Sequence, residues 1–136
     1  MKKSLLIALL IASMFSSCGT SKESTPSLAG EWKITSVDNK EVKTEETPFL
    51  QFDGDKVHGK LGCNIYNTTI TNKVGEAELT FSDKGQRTMM MCPDMEVEDA
   101  IIKALNETKS YRGDKNDKNK IELLNEAGNV VLVLKK

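Results

Sequence analysis

From Leu28 onward, apolar residues mostly recur at every second position, and this constrains the fold more than any other feature of the chain. Val57, Gly59 and Leu61 alternate with Lys56, His58 and Lys60, and Ala77, Leu79 and Phe81 alternate with Glu78, Thr80 and Ser82. A period of two is the mark of half-buried strands, because successive side chains of an extended backbone point to opposite faces. Trp32 and Ile34 open the series, and Leu50 and Phe52 continue it. Asp53-Gly54-Asp55 reads as a tight hairpin turn before Val57. Near the C-terminus, Ile121 and Leu123 lead to a turn at Glu126 to Asn129. The closing run Val130 to Leu134 is apolar on both faces and is expected to be buried on both sides, between the sheet and a helix.

One segment breaks the two-residue period. Between Asp94 and Thr108, Val97, Ile101 and Leu105 recur every four residues with Ala100 and Ala104 beside them, which predicts one helical stripe. Pro93 and Asp94 stand where a helix starts, and Glu96, Glu98 and Asp99 suit the positive end of its dipole. The pattern is a single helix across an antiparallel sheet. Gly113 to Lys120 offers oxygen donors at Asp114, Asn116 and Asp117. However, Lys118 takes a ligand position and Asn119 replaces the glycine of a calcium loop, so a solvated hairpin connection is expected.

At 136 residues the chain suits one domain, and its 19 basic against 20 acidic residues lack the positive footprint of a nucleic-acid binder. The N-terminus carries an address. Met1-Lys2-Lys3 precedes the apolar run Leu5 to Ala12, the layout of a secretory signal and too short to span a bilayer. Phe15-Ser16-Ser17-Cys18 resembles the bacterial lipobox, although Phe15 stands where leucine is usual. The expected division is a lipoprotein signal peptide over 1–17, a flexible tether over 18–27 and a folded domain over 28–136. Cleavage before Cys18 removes Lys2 and Lys3 and no acid, moving the formal net charge from -1 to -3. Cys18 is then the site of a palmitate-type lipid anchor, each buried CH₂ adding about 0.8 kcal/mol of membrane affinity.

The remaining cysteines, Cys63 and Cys92, are a disulfide candidate in an exported chain, and closing that loop would contribute roughly 3 to 4 kcal/mol. Two buried free thiols in adjacent strands are the alternative. Met89-Met90-Met91-Cys92, with Met95, Cys63 and His58, offers soft sulfur suited to Cu(I), with Met89 and Met91 on one strand face. Methionine as a filler of irregular core gaps is the weightier reading, so no metal and no cofactor are expected. The sole histidine, His58, lies between Lys56 and Lys60 without a nucleophile at recognisable spacing, and no catalytic set is expected.

Gly59-Lys60-Leu61-Gly62-Cys63-Asn64-Ile65-Tyr66, followed by Thr88-Met89-Met90-Met91-Cys92-Pro93 and by Glu98 in a helix, resembles the META domain family, the HslJ-like lipoproteins and envelope proteins of bacteria. The resemblance covers Leu28 to Lys136 and includes Trp32, Tyr111 and Gly128; Thr68 and Ile70 stand where many relatives have Gly and Tyr. It implies a mainly β (α+β) fold, a small antiparallel lipocalin-like, partly open barrel with one helix packed on it. Gly30-Glu31-Trp32 is similar to the G-x-W of lipocalins. The implied motif residues are Gly59, Gly62, Asn64, Thr88, Met89 and Met91. Physically, Gly59 and Gly62 would allow a bulge or close backbone approach, Cys63 would face Cys92, and Asn64 would bond within its own turn.

The expected function is that of a monomeric, non-catalytic lipoprotein of the bacterial cell envelope, at the outer membrane. It would contact an envelope protein or cell-wall partner and be linked through its family to heat shock, envelope stress or secretion. The alternatives are a small hydrophobic ligand held in the barrel interior or Cu(I) binding.

Overall fold

A computed structural model describes residues 25–72 and 77–136; Cys18 and the signal sequence lie outside the described residues. The elements in order are β1 (Gly30–Val37), β2 (Lys40–Glu41), β3 (Phe49–Asp53), β4 (Lys56–Lys60), β5 (Ile65–Thr69), β6 (Gln86–Arg87), α1 (Met95–Glu107), β7 (Thr108–Gly113), β8 (Lys120–Asn125) and β9 (Val130–Lys135). They form one antiparallel nine-stranded sheet in the order β6-β5-β4-β3-β1-β9-β8-β7, with β2 on β1. None of the described helices is long and apolar enough to cross a membrane.

The sheet curls without closing. Its two ends are linked by the stretch between Ala77 and Ser82, where Phe81 bridges Ile70 and Glu78 bridges Ser110 of β7. This stretch reads from sequence as a strand, yet it is not a continuous one. Leu79 N–H and Ala77 C=O bond to β7, while Thr80 C=O and Ser82 N–H bond to residues 69–71, so neither side accumulates a ladder. Leu79 and Phe81 are nevertheless buried, as their alternation requires, while Ala77 is exposed.

Gly54, with φ of 61°, supplies the left-handed residue of the two-residue β3–β4 hairpin, and Gly128, with φ of 80°, does so between β8 and β9. β9 is central, paired with β1 and β8, and α1 leans on it. Val131, Leu132 and Leu134 are buried, but Val130 and Val133 are only half-buried, so burial on both faces holds in part. The consecutive burial of Val131 and Leu132 has a local cause. Leu123 pairs with Leu132 and Leu124 with Val130, so the register slips past Val131 in a bulge that turns an extra side chain inward.

The helix is rotated from the expected stripe. Ile101, Ala104 and Leu105 are buried, but Val97 is half-buried and Glu98 takes the inward position in the first turn. α1 passes into β7 without a loop, Thr108 Oγ1 donating to Ala104 C=O at 2.8 Å. On the outer face of β4, Lys56 and His58 are exposed, whereas Lys60 is half-buried and ion-paired with Glu46. Residues on either side of the expected domain start at Leu28 are tied to the sheet. Trp32 Nε1 donates to Leu28 C=O at 2.7 Å and Tyr111 Oη to Pro26 C=O at 3.3 Å, which pins the chain entry against one end of the barrel.

Candidate functional site

The motif residues meet at the opposite end of the barrel. β4 ends at Lys60, and the turn Leu61 to Asn64, closed by Leu61 N–H to Asn64 C=O at 3.1 Å, returns the chain into β5. Gly59 is required by packing rather than by a bulge: a Cβ there would stand 2.7 Å from Phe49 C=O and 2.8 Å from a Leu50 methyl, and the β3–β4 register runs uninterrupted. Gly62 makes room for a carboxylate, since its Cβ would lie 2.9 Å from Oε1 of Glu98.

Glu98 is fully buried, and its oxygens hold the turn. Oε1 accepts the backbone N–H groups of Cys63 and Asn64, each at 3.0 Å, and Oε2 accepts Nδ2 of Asn64 at 2.8 Å. Arg87 lies 3.7 Å from Oε2 and is also paired with Asp99. A carboxylate is tolerated in such a place only when hydrogen bonds and a counter-charge replace its water. Among the described residues, no buried side-chain nitrogen or oxygen is without a partner.

The side chain of Asn64, also fully buried, does not bond within its own turn as expected. Its Oδ1 accepts Met90 N–H at 2.8 Å and the Thr88 hydroxyl at 2.9 Å, so it ties the segment 88–92 to the barrel end. Thr88 completes the splice: its Oγ1 accepts Ile65 N–H, and its own N–H donates to Ile65 C=O, both at 3.0 Å. Cys63 and Cys92 are joined by a disulfide with a Cα separation of 6.0 Å, so the same two segments are linked covalently.

Met89 and Met91 do not share a strand face, because the residues after β6 leave the ladder. Met89, Met90 and Met91 are 75%, 52% and 100% exposed, which also removes them from a gap-filling role in the core. With Ile65 they are the large hydrophobic side chains found exposed among the described residues. An open groove of about 630 Å³ runs past Met89, lined also by Tyr66, Arg87, Asp99, Ile102 and Lys103. Burial pushes the Tyr66 phenol above its usual range, a hydrogen bond with Thr68 acting against this, so the groove wall stays neutral there. His58 stands apart on the outer face of β4, its Nδ1 2.8 Å from Oδ1 of Asn67.

The structure therefore gathers Gly62, Cys63, Asn64, Thr88 and Cys92 around Glu98, leaves Gly59 in β4 packed against Phe49 and Leu50, and turns Met89 and Met91 outward. Glu98 is the residue whose role the sequence reading missed. Its signal was present, since an acid three residues before Ile101 and seven before Leu105 falls on the apolar stripe.

A family model described as META domain matches residues 26–136, and the chain belongs to that family. An NMR structure of a protein from Burkholderia xenovorans matches with a TM-score of 0.56 at 19% identity, covering 78% of this chain and 80% of that one, a likeness of fold alone. No curated protein matches the chain.

Proposed function

We propose that this META domain chain is a lipoprotein of the bacterial cell envelope, anchored at the outer membrane through Cys18, that works by binding an envelope protein and not by catalysis. The position of the exposed methionines relative to the chain entry carries this reading. Pro26, Leu28, Phe52, Gly54 and Tyr111 line a cavity of about 320 Å³ at the entry end, which places the β3–β4 turn there. β4 then runs to the other end, where Lys60 leads into the turn tied to the methionine segment. Five strand residues at about 3.3 Å each put roughly 17 Å between the two. The stretch from Cys18 to Thr25 reaches at most about 25 Å even when extended. A lipid at Cys18 thus tethers the domain by its entry end, within about 25 Å of the bilayer, and leaves Ile65, Met89, Met90 and Met91 at the end opposite the tether.

Flexible, polarisable methionine side chains suit an adaptable protein surface. The interior supports an outside site as well. Trp32, Leu50, Leu61, Leu79, Ile101 and Leu132 are among the side chains that fill the barrel. The envelope-stress or secretion link remains part of the proposal.

The test combines two variants of the full chain. Cys18→Ala should move the protein from the membrane to the soluble fraction. Met89→Asp with Met91→Asp should keep the protein folded at the membrane but reduce cross-linking to its envelope neighbours. Retention at the membrane of a Cys18→Ala chain already cleaved of its signal sequence would defeat the anchor, and unchanged cross-links would defeat the methionine surface.

A further inference from the structure

Around Nδ2 of Asn64, acceptors outnumber hydrogens. An amide nitrogen carries two hydrogens. Four acceptors converge on this one: Oε2 of Glu98 at 2.8 Å, Met90 C=O and Sγ of Cys92 each at 3.2 Å, and Sδ of Met95 at 3.3 Å. Sγ of Cys63, Sγ of Cys92 and a Glu98 carboxylate oxygen lie within 4.8 Å of one another. The cluster is thus rich in lone pairs and poor in positive charge, Arg87 being 3.7 Å from Glu98 and shared with Asp99.

We infer that the dithiol form of this site binds one Cu(I) ion through the sulfurs of Cys63, Cys92 and Met95, with the Glu98 carboxylate as the neighbouring counter-charge. Electrostatic sign favours a cation over free thiolates. A thiolate formed beside Glu98 is repelled by it, whereas a monovalent cation bridging the two thiolates is attracted by all three anionic groups. Ligand type then selects the ion, since thiolate with thioether is a soft set that favours Cu(I). The set differs from the one suggested by the run Met89 to Met91, whose side chains are exposed, and it leaves out His58, bonded elsewhere to Asn67.

Loading requires a dithiol reductant. The Cys63–Cys92 S–S bond breaks, an S–S bond forms within the reductant, and its two thiol protons pass to Cys63 and Cys92. Cu(I) then displaces those two protons as it binds. The proposal is independent of the lipid anchor and of the partner surface, so its failure leaves those readings standing.

The full chain in detergent, reduced with dithiothreitol and desalted without oxygen, is titrated with Cu(I) presented as its bicinchoninate complex. The reduced protein should withdraw one equivalent and release two protons, and the oxidised protein should withdraw none. Cys63→Ser and Cys92→Ser should lose binding. Met95→Leu should weaken it by about tenfold or more, while Met91→Leu leaves it unchanged. X-ray absorption of the loaded wild-type chain should give a first shell of three sulfurs, a readout that does not depend on any variant folding. Equal uptake by oxidised and reduced protein would overturn the inference. So would a nitrogen or oxygen shell, a Met91→Leu loss matching that of Met95→Leu, or a reduced chain without its β spectrum.

Discussion

Replacing Glu98 by Gln changes one atom of the clamp and almost none of its volume, so it isolates the charge and the acceptor pattern. Glu98 Oε1 faces two backbone N–H groups, which obliges the amide oxygen of the introduced glutamine to sit there. The new NH₂ then takes the place of Oε2, opposite Nδ2 of Asn64 at 2.8 Å, donor against donor. Flipping the amide is worse, because it sets the NH₂ against both backbone donors. Each bond to Oε1 falls from a charge-assisted to a neutral one, a loss of about 1 kcal/mol apiece, and the donor conflict at Asn64 adds about 1 to 3 kcal/mol. The variant no longer desolvates an anion, which opposes part of this. The net expectation is a destabilisation of about 2 to 4 kcal/mol, read as a drop of the urea midpoint by about 1 to 2 M. Native-state hydrogen exchange should show the Met90 amide, held by Asn64, opening more readily in the variant than in the wild type. A variant within about 0.5 kcal/mol of wild type, with Met90 equally protected, would refute the claim that an anionic acceptor holds this end of the barrel together.

Leu79→Ala should cost about 2 to 5 kcal/mol in denaturant unfolding, since Leu79 is 1% exposed. Lys56→Glu, on the exposed face of β4, should change stability by less than about 0.5 kcal/mol. Asp114 stands below the ordinary carboxylate range chiefly because it accepts Asn116 N–H, with Lys120 also beside it. A depressed native value means that its contribution to the β7–β8 loop is present above the ordinary carboxylate pKa and lost as pH falls through the native one. In an NMR titration, the Asn116 amide should therefore shift only at a pH below the usual carboxylate range; a midpoint at the ordinary value would remove the argument.

The strands were legible where each carries its own period. Lys56–Lys60 alternates without a break because β3 and β5 pair it in register on both sides. The sequence misleads where hydrogen bonding is divided. Ala77 to Ser82 has the alternation of a strand because its inward side chains do enter the core, but its backbone serves two sheet ends in turn. Periodicity reports where side chains go and is silent about which strand a backbone group finds. The bulge at Val131 is invisible for a related reason: an extra inward residue in an already apolar run changes nothing in the pattern.

The site was legible as a set of residues and not as a mechanism of assembly. Cys63 and Cys92 stood out by type and pointed toward joining two distant segments, while Gly62, Asn64 and Thr88 stood out through the resemblance to the META domain family. What linear sequence withholds is the acceptor that brings them together. Glu98 looked like a dipole-complementing acid of the first helical turn, and by position it is one. Yet a rotation of the helix that leaves Val97 half-buried sends the next side chain inward. Gly62 then acquires its reason, because the space a Cβ would fill is the space Glu98 occupies. The glycine and the acid are one device assembled from two distant parts of the chain, and neither explains itself alone. Asn64 closes the argument: of the side chains in the turn, it offers an acceptor to Thr88 and Met90 and a donor to Glu98 at once. That double duty holds an otherwise irregular loop in place and leaves the methionines beside it nothing to do but face outward.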